Sequence, residues 1–138
     1  MIAFNLTRNL VLVRELRLAH SFFERIWNLS GSSSLKEGEG FLIPFCHGIH
    51  TFGIDYPIDV LYLNGDGDVI GMDEGLGPNS LGKFCLRACL VLELPAGMIH
   101  STETKIGDLL TIQGSGATGT EELISLASPV RALLGLNT

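Results

Sequence analysis

Residues 58–63, Ile58-Asp59-Val60-Leu61-Tyr62-Leu63, constrain this chain most. They form a β-favourable run after Pro57. Five of the six side chains are apolar or aromatic, so neither face of a strand built from them suits water. The spacing predicts a central strand with a carboxylate inserted into it. Asn64-Gly65-Asp66-Gly67 follows at once, which is hairpin-turn chemistry, and Val69 to Met72 would return antiparallel. A second run, Ala88 to Leu94, reads the same way. Leu86, Ala88, Leu90, Leu92 and Leu94 make one apolar face, and Cys85, Arg87, Cys89, Val91 and Glu93 a mixed one.

Other strands are expected at Ile2–Leu6, Leu10–Val13, Phe41–Ile43, Cys46–Phe52 and Leu109–Ile112. A short helix is expected after the capping box Ser21/Glu24, with Phe22/Ile26 and Phe23/Trp27 on one face. Another follows Pro95-Ala96-Gly97 and runs through Ser101. Ser30–Ser34 and Gly75–Lys83 read as loops. Gly114-Ser115-Gly116-Ala117 looks like a linker. Thr118 and Glu121 then start an apolar-faced helix with Leu123, Ile124, Leu126 and Ala127, stopped by Pro129. The reading is an α+β domain over residues 1–113. It has a mainly antiparallel, barrel-like sheet and short helices. A linker and C-terminal helical tail over 114–138 are able to dock on this domain or on a second copy.

Charge narrows the partners. Nine Lys and Arg stand against fifteen Asp and Glu, for a formal net charge of −6. No basic cluster is present to displace counterions from a polyanion. Neither nucleic acid nor an anionic membrane is therefore an expected partner. No apolar run reaches the ~18–20 residues a membrane helix needs, and the opening Met1–Leu10 lacks the basic start and cleavage site of an export signal. Cys46, Cys85 and Cys89 are an odd number without a Cys-x-x-Cys. If Cys85 and Cys89 shared a strand they would lie about 13 Å apart, beyond disulfide reach. Free thiols in the cytoplasm are the expectation.

Several motifs suggest chemistry and have simpler readings. Gly77-Pro78-Asn79-Ser80-Leu81-Gly82-Lys83 has phosphate-loop spacing, but Phe84 stands where a Ser or Thr is needed and no helix pattern follows. Asn64-Gly65-Asp66-Gly67-Asp68 resembles a calcium loop. However, Val69 and Gly75 occupy the positions that need Gly and Glu, and a turn explains it. Cys46-His47-Gly48-Ile49-His50 brings a thiol and two imidazoles close together. That set suits a metal or a nucleophile and base, or a packed sheet in which the His is hydrogen-bonded. Asp59 and Glu93 are carboxylates on strands whose alternation predicts burial, and such groups need partners. A ligand is one possible partner; backbone N–H groups after Pro57, and a strand end beside Pro95, are the structural alternative.

Cys46 to Ile54, Pro57 to Leu63 and Gly67-Asp68-Val69 resemble the bacterial and archaeal family catalogued as domain of unknown function 192. Val91 to Gly97 and Ile106-Gly107-Asp108 fit the same family in order and spacing. Ala19 to Leu29, with Arg25, looks like its opening helix. The resemblance spans residues 8–113 and implies a compact, mainly antiparallel β domain with short helices. It implies no activity. The family's characteristic positions fall here on His50, Thr51, Phe52, Asp59, Glu93, Gly97, Gly107 and Asp108. This chain has Ile54 where the family usually has Met, and Trp27-Asn28-Leu29 where it usually has Gly-Leu-Met.

The leading functional expectation is a small non-catalytic binding or accessory domain for a small polar ligand such as a sugar or cation. Its recess would be formed by His50, Asp59, Arg87, Cys89 and Glu93. No resident metal or cofactor is expected. The alternatives are a hydrolase-like enzyme, using Cys46 as nucleophile or Asp59 and Glu93 as acid and base, and a structural protein that self-associates through its tail.

Overall fold

The computed structural model describes residues 1–19 and 35–114. The expected helix at 21–29, the loop at 30–34 and the C-terminal helical tail lie outside the described residues. The elements in chain order are β1 (Ile2–Asn5), β2 (Leu10–Val13), β3 (Glu15–Leu18), β4 (Glu39–Pro44), β5 (Gly48–His50), β6 (Ile58–Leu63), β7 (Val69–Leu76), β8 (Leu81–Phe84), β9 (Leu90–Pro95), the short helix α1 (Met98–Thr102) and β10 (Leu110–Gln113).

The main sheet has the order β3-β4-β9-β6-β7, a smaller one β10-β1-β2, and β5 pairs with β8. The expected barrel does not form among the described residues, because the five-stranded sheet stays open with β3 and β7 at its edges. Nearly all pairings are antiparallel. The exception is β3 with β4, which run parallel. A parallel pair cannot be joined by a two-residue hairpin, in keeping with the twenty residues that separate Leu18 from Glu39.

β6 and β9 lie side by side in the middle, with Leu61 opposite Leu92 and Tyr62 opposite Val91. Every residue of β6 is buried, as its double-sided apolar pattern requires. Leu61, Leu63, Leu90, Leu92 and Leu94 face a first core, which also takes in Leu12, Val13, Ile99, Leu110 and Ile112. Ile58, Val60, Tyr62 and Val91 face a second core with Ala19, Leu35 and Phe41. The β6–β7 turn forms where expected. The Asn64 side-chain oxygen accepts from the amides of Asp66 and Asp68 (3.0 and 2.9 Å), and Gly67 supplies a φ of +94°.

Three expectations shift. Cys46–Phe52 is extended only over β5. Gly75–Lys83 is a turn between two strands rather than a loop, since β7 runs on to Leu76 and β8 begins at Leu81. The apolar pattern from Phe84 onward is interrupted, because the Ala88 amide donates to the Cys85 carbonyl (2.9 Å) in a turn before β9. Cys85 and Cys89 therefore do not share a strand.

β8 lies close over the Tyr62 hydroxyl because residue 82 has no side chain. A Cβ there would stand 2.5 Å from the Tyr62 hydroxyl and 2.9 Å from Ile49 Cγ2. Gly82→Ala is expected to cost about 1–3 kcal/mol by overpacking, measured by urea denaturation.

Candidate functional site

Asp59 is 1% exposed and solves its burial with backbone donors. The Gly75 amide donates to Oδ1 (2.8 Å). The amides of Gly97 and Ile99 donate to Oδ2 (3.1 and 2.8 Å). α1 has no side-chain cap of its own, so Asp59 caps it from a strand far away in sequence. Gly97 makes this possible, since its φ of +96° is one that L side chains rarely adopt. The sequence expectation of backbone acceptance thus holds in kind, but the donors come from residues 75, 97 and 99 rather than from the segment after Pro57.

Glu93 is equally buried, at 1% exposed, but on the other side of the sheet. It stands opposite Val60 and Phe41, both in the second core, whereas Asp59 shares its face with Leu61 and Leu63 of the first. The five residues expected to form a recess are not brought together. Arg87 is exposed in the turn before β9. Cys89 packs against the first core, and His50 sits on β5. Asp59 and Glu93, separated by the sheet, cannot act on one bond as acid and base.

A third buried carboxylate secures the turn into β10. Asp108 Oδ2 accepts from Asn5 Nδ2 (3.1 Å), Arg8 Nε (3.1 Å) and the Lys105 amide (3.0 Å). Burial pushes its pKa up, but the Asn5, Lys105 and Arg8 donors outweigh this and hold it below the ordinary carboxylate value. Gly107, at φ +96°, turns the chain into it.

The open cleft lies elsewhere, beside the β5–β8 pair, with a volume of about 560 Å³. Its apolar wall is Phe45, Ile49, Leu81 and Phe84; its polar groups are Cys46, His47, His50 and Lys83. Phe45, Leu81 and Phe84 are 77%, 74% and 73% exposed. Phe45 has a φ of +54°, an outlying conformation for a bulky residue. Its amide donates to the Cys89 carbonyl (2.7 Å), which anchors the backbone while the ring stands at the mouth. The Cys46 thiol donates to the Gly48 carbonyl (2.7 Å), and His47 Nδ1 bonds to the Ala88 carbonyl (2.8 Å). His50 stacks on Phe52 with ring centroids 4.9 Å apart. Among the described residues the ion pairs are Arg8–Asp108 and Arg17–Glu39, and Lys83 belongs to neither.

Hydrogen bonds tie the β8 wall of the cleft to the main sheet. The Tyr62 hydroxyl donates to Asp73 Oδ2 (2.7 Å), and the Lys83 amide donates to the same oxygen (2.8 Å). Burial first, and the Asp73 carboxylate second, push the Tyr62 phenol far above its ordinary pKa, so it stays a donor. Thr51, fully buried, staples the end of β5 to the β7–β8 turn. Its hydroxyl donates to the Gly77 carbonyl (2.6 Å) and accepts from the Ser80 amide (2.9 Å). Sequence reasoning singled out Cys46, His47 and His50, missed Phe45, and weighed Leu81, Lys83 and Phe84 only as part of a phosphate loop that it set aside. The available signal was large apolar residues, Phe45, Leu81 and Phe84, scattered without strand alternation through Gly/Pro-rich stretches.

The family described as Uncharacterized ACR, COG1430 (DUF192) matches residues 5–112, and the chain belongs to it. Among solved structures, one from Novosphingobium aromaticivorans DSM 12444, a protein of unknown function, superposes with a TM-score of 0.66. It is 20% identical and covers 79% of this chain and 81% of its own. Another, a proposed transcription regulator from Sinorhizobium meliloti 1021, gives a TM-score of 0.60 at 22% identity, with 79% and 88% covered. Both show the fold. No curated protein matches the chain.

Two outcomes test the carboxylates. Asp59→Asn turns one acceptor into a donor facing an N–H and is expected to cost about 1.5–3 kcal/mol, read from urea denaturation at neutral pH. Asp108 has a lowered folded pKa, so it stabilises the fold above the unfolded value of about 3.9, and this contribution is lost as pH falls through the folded pKa. The stability difference between the protein and Asp108→Asn should therefore be largest near neutrality and shrink below about pH 4, followed by denaturation across pH.

Proposed function

We propose that this protein is a non-catalytic binding domain whose site is the cleft beside β5 and β8, and that its ligand is a small molecule with an apolar body and an anionic end. The observation that carries this reading is the grouping of exposed Phe45, Leu81 and Phe84 around one cleft that also holds Lys83. Large apolar side chains gathered at a concave surface are characteristic of binding sites. The strained Phe45 backbone adds support, because unfavourable φ values concentrate where function requires them. The ligand differs from the sugar or cation expected from Asp59 and Glu93, because those carboxylates are enclosed on opposite faces of the sheet.

The hydrolase alternative has less support. The Cys46 thiol is turned toward a carbonyl and the carboxylate pair is divided. The net charge of −6 disfavours a polyanionic partner. No helix among the described residues is long and apolar enough to cross a membrane. A cytoplasmic location belongs to the same reading, on the strength of three free thiols.

The test uses 1-anilinonaphthalene-8-sulfonate, which combines an apolar body with an anionic group. Saturable binding at one site per chain is expected, weakened about tenfold, or 1.4 kcal/mol, by Phe84→Ser and by Lys83→Met. Binding unaffected by both variants would remove the reading. Phe45→Gly should weaken the probe yet stabilise the fold by about 1–2 kcal/mol through relief of the left-handed backbone, which thermal and urea denaturation would show.

A further inference from the structure

The β10-β1-β2 sheet has two faces, of which one packs into the first core. Ala3, Val13, Leu110 and Ile112 enter the first core. The register sets Phe4 opposite Thr111 and Val11, and Ile2 opposite Gln113. These side chains therefore share the outer face. Phe4, Thr111 and Gln113 are nevertheless buried, and Phe4 belongs to neither apolar core. α1 packs on the inner side through Ile99. β3 meets β1 only near the strand end, where the Leu16 amide donates to the Met1 carbonyl (2.9 Å). Two buried polar atoms on this outer face, Thr111 Oγ1 and Gln113 Nε2, have no hydrogen-bond partner. Buried polar groups in native proteins are nearly always paired, so the face calls for a cover that offers both aliphatic carbon and hydrogen-bonding groups.

We propose that the outer face of the β10-β1-β2 sheet is the docking surface for the chain's own C-terminal segment, residues 118–136. The chain leaves β10 at Gly114, at the margin of this face, and Gly114-Ser115-Gly116-Ala117 is a sequence able to reverse direction. The segment combines Thr118, Thr120 and Ser125 with Leu123, Ile124, Leu126 and Ala127, the mixture this face requires. A helix over 118–128 would be about 16 Å long at ~1.5 Å per residue. Three strands of four residues present a surface of comparable size, about 13 Å along the strands. A tether this short gives a millimolar effective concentration, which favours the segment of the same chain over that of another copy. The crossover 20–34 is a poorer occupant, because its flanking residues Ala19 and Leu35 both lie in the second core.

The experiment keeps the full chain and reads the native state. Trp27→Phe removes the single native indole, and Phe4→Trp places a reporter on the outer face, with Val11→Trp as the alternative if position 4 does not accept an indole. The reporter should be shielded from acrylamide, and Leu123→Asp with Leu126→Asp should raise its quenching constant at least threefold while near-ultraviolet circular dichroism stays native. Equal quenching with and without the aspartates overturns the proposal. Shielding that is independent of protein concentration supports it; shielding that grows with concentration overturns it in favour of a second copy.

Discussion

A carboxylate enclosed by an apolar sheet has to find its donors inside the protein, and Asp59 finds three, on two other parts of the chain. The Gly75 amide belongs to the far end of β7, and the Gly97 and Ile99 amides to the start of α1. Charge-assisted hydrogen bonds of this kind are roughly twice as strong as neutral ones, and leaving any donor unmatched would be costly. One side chain thereby ties the central strand to an edge strand and to the only helix among the described residues. The course of β7 in turn sets where the turn at 77–80 lies, and with it β8 and the cleft. The residue that looked most like part of a binding site is the one that holds the scaffold together.

Much of the scaffold was legible in the sequence. β6 appears with the expected ends, because a run apolar on both faces has few alternatives to a central strand. The Asn64–Gly67 turn and α1 were readable from local chemistry. The parallel pairing of β3 with β4 was not, since neither strand carries a mark of direction. The division of Asp59 from Glu93 was also hidden. Alternation along one strand assigns its faces relative to one another, but only the register between β6 and β9 decides which face of one strand matches which face of the other.

The cleft was harder to read, for a related reason. Phe45 lies far in sequence from Leu81 and Phe84, all three stand in or beside segments rich in Gly and Pro, and each alone resembles an ordinary surface residue. What brings them together is the absence of a side chain at Gly82, above the Tyr62–Asp73 hydrogen bond. Thr51 completes the arrangement by holding β5 against the turn before β8. Thr51 thus supports the cleft without lining it and Phe52 stacks on His50, whereas Asp59, Gly97, Gly107 and Asp108 serve the chain's turns and caps.

The pairing of β1 with β10 joins Ile2 to Gln113, nearly the whole length of the domain apart. During synthesis β1 emerges from the ribosome together with β2 and can pair with it, but its second neighbour, β10, is made much later. Contacts of such high sequence separation slow folding. The nascent chain must therefore keep one edge of β1 unpaired until β10 has been made, an interval in which a chaperone has an open strand edge to protect.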